Sequence, residues 1–566
     1  LLRCCHAVFR WVAGHECTRE NGAATMSFHN ADELAENEVL RADLCVVGAG
    51  AAGIALALEL ENSGLDVILL ESGDALPLRE ADALNELEIA GHPLNVDVPV
   101  RRRCFGGTTV ATYGRCVALD GIDFEPRPWL GAEGWPLAET DVSAWYPRAA
   151  RVVGLPRPEL LFSSGWETHP VARLAAASDL AVRVHRWGRH IDLGAAWRAR
   201  LREAAQVRVL LRATAVACLA EPGRPRIAQV ACRGLNGGRF SVVAGAFVLA
   251  CGGFENPRLL LLSRHGQSPP VLNWDPVGRF YMNHPRCEGT GRVLLQPGRP
   301  EVGPWAQRLV MHRDWRARGR LQFSFSPVES LPRREGLLNP TTFFFAASDS
   351  KARAARDAAR NVWQTGGSAD WRQAMAQAMV QVVVGAARLL PQAPTLAAGA
   401  WHQLRLRPFR PVELVAVDQC EQPPRAESRI ALGRERDRFG CPLPELDWRI
   451  DGQTTASLRR LHGLLAAMFR QLGIGEFSSR LLEDPDFEPR YTDCAHPTGA
   501  TRMSRSDERG VVDTNCRVHG LRSAGQALQL QLPGRVAAQV QHRAVHLHGI
   551  EQHATLQRTR IGQLHA

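Results

Sequence analysis

Apolar residues in this chain gather into short runs broken by glycine, proline and charge. Runs without a helical period predict buried strands at 45–47, Val67–Leu70, Val207–Leu211, 214–219 and 246–250. The 207–211 and 214–219 runs are expected to pair with each other. Residues 229–232 and 240–243 are expected to form a hairpin around Asn236-Gly237-Gly238. The 246–250 run closes on Gly252-Gly253, and a helix is predicted to begin within 256–261, with Pro257 in its first turn. Further on, strands are predicted at 321–325, 342–346, 411–417, 428–432 and 446–450. Helical pattern covers 350–405 and 453–472, and the whole stretch predicts a domain built on an antiparallel sheet.

The first two strands frame the most informative segment. Gly48-Ala49-Gly50-Ala51-Ala52-Gly53 follows the 45–47 run and opens an apolar helix, and the next strand ends in Glu71. This order predicts a βαβ unit that binds a dinucleotide. Gly48 serves the tight turn, Gly50 the close approach of a pyrophosphate, and Gly53 the packing of helix on strand. The pyrophosphate would sit on the helix N-terminus, where unpaired N–H groups and the dipole favour an anion, and Glu71 would accept from ribose hydroxyls. A second glycine-rich stretch, Arg103-Cys104-Phe105-Gly106-Gly107-Thr108-Thr109, runs on to Gly134-Trp135-Pro136 and reads as an ordered loop lining a site.

Composition changes this picture little. At 566 residues the chain exceeds one simple core, and its 45% hydrophobic and 22% charged residues are those of a globular protein. The net charge of +10 comes from dispersed arginines, with Lys351 the single lysine, so nucleic-acid binding is not expected. The fourteen cysteines form no C-x-x-C, which supports neither a zinc site nor a dithiol motif and fits a reducing compartment. No apolar stretch approaches a membrane span and no signal-like segment is visible, so a cytoplasmic location is expected.

Several separated motifs together resemble the glucose-methanol-choline (GMC) family of FAD-dependent alcohol oxidoreductases over roughly residues 42–520. They are the 48–53 glycines with Glu71, the 105–109 loop with Gly134-Trp135-Pro136, and the 250–261 segment. Val277-Gly278-Arg279 through Asn283-His284-Pro285, Glu421-Gln422-Pro423 with Ser428-Arg429, and His496-Pro497-Thr498-Gly499 complete the set. The loop composition is most similar to bacterial sugar- and polyol-type members.

The resemblance implies an α/β fold, with a Rossmann-like FAD-binding domain of mixed sheet and helices assembled from discontinuous segments. An α+β substrate domain on an antiparallel sheet would interrupt it. The implied divisions are FAD-binding parts at 26–137, 206–290 and 488–520, a connecting helical segment at 138–205 and a substrate domain at 291–487. Gly48, Gly50 and Gly53 would meet the FAD pyrophosphate, Glu71 the adenosine ribose, Gly106, Gly107 and Thr108 the pyrophosphate and flavin, and backbone at Val216 the adenine. No histidine lies between 102 and 167, so the covalent flavin link of some relatives is not expected and FAD would be held non-covalently. His496 matches the family's base, which takes the hydroxyl proton of a sugar, polyol or other alcohol as hydride passes to the flavin. His284 and His519 are expected to be structural. The electron acceptor (oxygen, quinone or a haem partner) is encoded in no motif.

One departure stands out. The family carries a second His or Asn beyond the first, in a segment wrapping the flavin, whereas this chain continues from Gly520 as Leu-Arg-Ser-Ala-Gly-Gln-Ala-Leu-Gln-Leu-Gln-Leu-Pro into a Gln/His/Arg-rich tail. Residues 521–566 are therefore expected to form an aberrant tail that does not pack against a flavin, through a reading frame shifted shortly after Gly520, and residues 1–25 to be translated upstream sequence before Met26. Two readings stay open: an active GMC-type oxidoreductase, and a relative that keeps the fold without the flavin chemistry. An NAD(P)-dependent dehydrogenase is disfavoured by the Gly-Gly loop and the His-Pro-Thr-Gly motif.

Overall fold

The computed structural model describes residues 28–94, 101–111, 114–155, 175, 178–222, 224–264, 273–295, 312–314, 319–347, 413–521 and 527–529. The predicted helical stretch 350–405, the residues 1–25 and the tail from 530 onward lie outside the described residues.

Among the described residues the strands form three sheets. At the centre of the first, β2 (Glu38–Val47) lies parallel to β3 (Val67–Leu70) on one side and to β10 (Arg239–Leu249) on the other. Beyond β3 come β7 (Val207–Leu211) and β1 (Phe28–Asn30), both parallel. Beyond β10 come β9 (Ile227–Gly234) and β8 (Ala213–Ala220), both antiparallel. Successive side chains of β2 and β3 point to opposite faces, and both faces are buried, which is why these runs show no alternation of polarity. Leu44, Val46, Val67 and Leu69 pack under α1 (Ala51–Leu60), α2 (Tyr146–Val152) and α3 (Leu193–Glu203). Cys45, Val47, Ile68 and Leu70 pack with Phe247, Leu249 and α4 (Gly252–Ser263).

The structure differs from the sequence expectations at four points of this sheet. The 207–211 and 214–219 runs do not pair. Only Arg212, with φ +57°, separates β7 from β8, too short a link for a hairpin; β7 pairs with β3 and β1, whereas β8 turns away and pairs with β9. The 240–243 and 246–250 runs are one strand, β10, paired with β2 along its length and with β9 only over its first half. Helix α4 starts earlier than expected, at Gly252, because the Asn256 side chain accepts the Cys251 N–H at 2.8 Å. Pro257 therefore lies beyond the first turn. Finally, β19 (Ala527–Gln529) runs parallel to the second half of β10, with Phe247 opposite Ala527, so three residues beyond Gly520 add a strand not expected from the sequence. The β9 register ends at Val243, leaving the far half of that edge of β10 with unpaired backbone groups that a further strand can satisfy.

In the second sheet the order is β18 (Gly475–Ser479), β11 (Arg286–Leu295), β15 (Glu413–Gln419), β14 (Thr341–Ala346), β13 (Gly319–Pro327), β6 (Leu180–Trp187) and β5 (Arg115–Cys116), with β12 (His312–Asp314) also on β13. All its pairings are antiparallel. Strands β5 and β6 and the first residues of β11 lie outside 291–487. The runs at 428–432 and 446–450 do not join this sheet. They fall on β16 (Arg429–Arg436) and at the end of β17 (Pro442–Asp447), which form a third sheet with β4 (Glu88–Ile89), where β17 and β4 run parallel.

Helix α5 (Gly452–Leu472) covers the second sheet, setting Leu461, Leu465, Met468 and Phe469 against Val293, Phe325, Phe344 and Leu414. A buried polar pin crosses that interface. His462 lies between Asp418 Oδ1 at 3.1 Å and Ser479 Oγ at 2.7 Å, and Thr342 donates to the same aspartate at 2.6 Å. No helix among the described residues is long and apolar enough to cross a membrane.

Phe344 meets Phe469 and Phe477 edge-on, with centroids 5.4 and 6.2 Å apart, and is fully buried. Phe344→Ala is expected to cost about 3–5 kcal/mol in equilibrium denaturation. A loss below about 1 kcal/mol would place this contact outside the core.

Candidate active site

The turn from β2 into α1 is built by backbone contacts that a side chain would block. Gly48 has φ +102°, and a Cβ there would lie 2.7 Å from the Ala250 carbonyl oxygen. A Cβ on Gly53 would lie 1.9 Å from the Gly48 carbonyl oxygen. Helix α1 begins after Gly50 with no side-chain cap, leaving its first N–H groups facing away from the helix. The second glycine stretch folds onto this turn: the Gly106 N–H donates to the Ala49 carbonyl at 2.9 Å, and the backbones of Gly107 and Gly50 face each other. Thr108 lies half-buried in the short helical turn Gly107–Ala111. Its neighbour Thr109 locks the turn, donating to the Gly106 carbonyl at 2.6 Å and accepting the Leu193 N–H at 3.1 Å.

Glu71 closes the far side. Its carboxylate accepts the Ala49 N–H at 3.0 Å and the Gly73 N–H at 2.9 Å. Burial pushes this carboxyl up to about 7, against the two backbone donors and the Arg103 guanidinium, which favour the charged form. Next to Glu71, the Ser72 and Thr214 hydroxyls meet at 2.9 Å, and Arg103 donates to Ser72 at 2.9 Å. Val216 sits at a slip in the β8–β9 register, between Ala215 and Ala217, so it has no partner in that ladder.

The segment carrying His496 approaches from the opposite side. A Cβ on Gly253, at the start of α4, would lie 2.3 Å from the Pro497 carbonyl oxygen, so helix and His-Pro turn meet backbone to backbone. Ala495 takes φ +58°, with its N–H held by Asp493 Oδ2 at 2.8 Å, and this turn aims the next residue. The His496 N–H donates to Asn283 Oδ1 at 3.0 Å. Its ring stands edge-to-face on His284, with centroids 5.1 Å apart and planes at 88°. Burial holds the His496 imidazole well below the usual histidine range, and the neighbouring His284 and Arg115 add to the effect. His496 is therefore neutral at neutral pH. Its Nδ1 is buried with no hydrogen-bond partner among the described residues.

Gly48, Gly50, Gly53, Glu71, Gly106 and Gly107 thus form one cradle, with Thr108 beside it. A chain of close backbone contacts, Gly48 on Ala250 and Gly253 on Pro497, links the cradle to His496. His284, expected to be structural, faces His496. His519, expected to be structural too, lies elsewhere, with Nε2 3.1 Å from the Ser504 carbonyl. Sequence reasoning missed Ser72, Thr109, Thr214 and Asn283. The Asn-His-Pro motif pointed to the last of these and the 105–109 loop to Thr109; nothing local marks Ser72 or Thr214. Among the described residues no three His, Cys, Asp or Glu side chains cluster as metal ligands do.

Residues 424–523, which include His496, match the family model of the GMC oxidoreductase C-terminal region. Over 125 residues the chain is 30% identical to 6'''-hydroxyparomomycin C oxidase of Streptomyces lividus, which is 20% of this chain and 23% of that protein. Over 152 residues it is 30% identical to an uncharacterized GMC-type oxidoreductase of Mycobacterium tuberculosis, which is 24% of this chain and 22% of that protein. The matched stretches thus span under a quarter of these relatives. Among solved structures, a formate oxidase aligns over 89% of this chain and 97% of its own, at 16% identity and a TM-score of 0.46. A pyridoxine 4-oxidase aligns over 88% and 97%, at 15% identity and a TM-score of 0.47.

The three motif glycines separate folding from binding. Gly48→Ala and Gly53→Ala are each expected to lower stability by about 1–3 kcal/mol, because the added Cβ meets backbone. Gly50 has ordinary φ (−73°), and its Cβ would meet nothing nearer than Gly107 Cα at 4.0 Å. Gly50→Ala is expected to stay within about 0.5 kcal/mol of the parent in urea denaturation. Equal losses at all three positions would contradict this assignment.

Proposed function

We propose that this chain is a GMC-type, FAD-dependent oxidoreductase acting on a CH–OH group of a sugar, polyol or other small alcohol. The observation that carries the reading is a neutral, buried His496, within the stretch that matches the GMC model, joined by backbone contact to a glycine-lined cradle.

The cradle fits a dinucleotide. The uncapped N–H groups of α1 suit a pyrophosphate, and the fold itself has room for a side chain at Gly50, so an open position there serves a ligand rather than packing. Gly48, Gly50, Gly53, Gly106, Gly107 and Thr108 would hold the pyrophosphate and flavin end. Glu71, with Ser72 and Thr214 beside it, would hold the ribose, and the backbone at Val216 the adenine. FAD would be held non-covalently. When bound, the flavin supplies an acceptor for the hydride of the alcohol carbon.

The remaining chemistry belongs to the chain. The unprotonated nitrogen of His496 takes the hydroxyl proton as the carbon–oxygen double bond forms, leaving an aldehyde or ketone and an imidazolium that returns its proton to water. Desolvation keeps the imidazole basic-form at rest, and the fixed turn at Ala495 holds it in place. A second reading, a relative that keeps the fold without the chemistry, draws on the departure of the sequence after Gly520.

Anaerobic mixing of the FAD-loaded protein with a panel of sugars, polyols and small alcohols tests the reading. At least one is expected to bleach the flavin absorbance, and His496→Ala is expected to slow that bleaching by about 10²-fold or more. A yellow protein that no alcohol bleaches, or a colourless one, favours the second reading; an unchanged rate in His496→Ala removes the histidine from its role.

The lowered His496 basicity fixes the sign of the pH dependence. A base stays active while unprotonated, so its acid limb follows its own pKa downward. The reduction rate is expected to hold steady as pH falls through about 6.5 and to drop only below that. A half-maximal rate at pH 6.5 or above would show an unperturbed histidine.

A further inference from the structure

We infer that Asn283 is the positioning residue of this active site, a single uncharged acceptor that clamps the backbones of His284 and His496 together. The inference rests on the assignment of His496 as the base. Asn283 Oδ1 accepts two backbone N–H groups, from His284 at 2.8 Å and from His496 at 3.0 Å, although the latter lies 213 residues away in the chain. Two converging donors leave no ambiguity about which end of the carboxamide faces them. The side chain is 2% exposed.

The clamp is itself held on every side. Its Nδ2 donates to the Tyr281 hydroxyl at 3.2 Å. Its own N–H donates to Gln422 Oε1 at 2.8 Å, an oxygen that also accepts the Trp448 indole N–H at 2.6 Å. Gln422 Nε2 donates to the Arg449 carbonyl at 3.0 Å. Beside the clamp, Met282 and Thr498 exchange backbone hydrogen bonds at 2.9 and 3.0 Å, so two segments are zipped for several residues and Asn283 closes the end that carries the histidines.

An uncharged acceptor suits this place. Among the described residues, the charged or titratable groups that the His496 ring meets include His284 from the facing segment and Arg115 from β5, with Asp493 and Cys494 on its own segment. None of the first three, as arranged, draws a proton onto the imidazole: His284 and Arg115 repel one, and Asp493 is turned to the Ala495 N–H. An aspartate at 283 would accept the same two N–H groups while adding a negative charge next to the base. Oxygen geometry and charge can therefore be varied separately.

The test compares Asn283→Asp with Asn283→Leu in the full chain, reading reduction kinetics and, independently of turnover, the titration of His496 by NMR of isotope-labelled histidine. Asn283→Asp is expected to keep the fold and move the His496 titration and the acid limb of the rate upward by about one pH unit or more. Asn283→Leu leaves two buried N–H groups without an acceptor and is expected to lower kcat roughly 10- to 100-fold, with KM changed less than about threefold. If Asn283→Leu fails to fold, Asn283→Asp alone decides. Unshifted His496 titration and rate profiles in Asn283→Asp, with His496→Ala inactive, overturn the clamp and leave the base assigned. A shifted titration with His496→Ala fully active upholds the clamp and overturns the base.

Discussion

Backbone lying directly on backbone, at positions where no Cβ intervenes, is the constraint on which this molecule depends. The turn from β2 into α1 closes because Gly53 admits the Gly48 carbonyl, and it docks on the end of β10 because Gly48 admits the Ala250 carbonyl. The same strand runs into α4, whose Gly253 admits the carbonyl of Pro497. A side chain at Gly48 or Gly253 would prise apart two segments that lie far apart in sequence, and one at Gly53 would open the turn itself. Through these contacts the central parallel strands, buried on both faces, set the distance between the glycine cradle and a histidine more than 400 residues further along the chain.

Electrostatics then decides what that histidine can do. It is neutral because it is buried and because the groups nearest its ring, His284 and Arg115, oppose a second positive charge. The hydrogen bonds that fix it run through backbone, from Asn283 and the Ala495 turn, so they hold the residue without charging it. At the other end of the cradle the balance differs: Glu71 is buried against two N–H donors and an arginine, an arrangement ready to accept further donors.

Much of the fold was legible because its signals are local. The Gly48–Gly53 turn, the runs on β2, β3 and β7, and the long helix α5 each declare themselves within one window of residues. Strand partners do not. Nothing inside 207–211 says that it pairs with β3 and β1 rather than with its neighbour in sequence, and nothing inside 429–436 or 442–447 says that they leave the large antiparallel sheet for a small one with β4. Those choices depend on chain folded in between. The site divides the same way. Glycines, Thr109 and His496 carry motif signatures, whereas Ser72 and Thr214 matter through each other, 142 residues apart. His284 is expected from sequence to be structural, and its contact with the His496 ring joins segments more than 200 residues apart. The return of 527–529 to the edge of β10 was hidden for the same reason, since that edge exists only once β9 has ended.

The central claim is that the glycine cradle and His496 face one bound FAD. A crystal structure of the protein with FAD tests it most directly. The account predicts the pyrophosphate on the N-terminus of α1 between Gly50 and Gly107, the ribose at Glu71, and the reactive edge of the flavin beside His496. FAD bound away from the α1 N-terminus, or with His496 out of reach of the flavin ring, would contradict it.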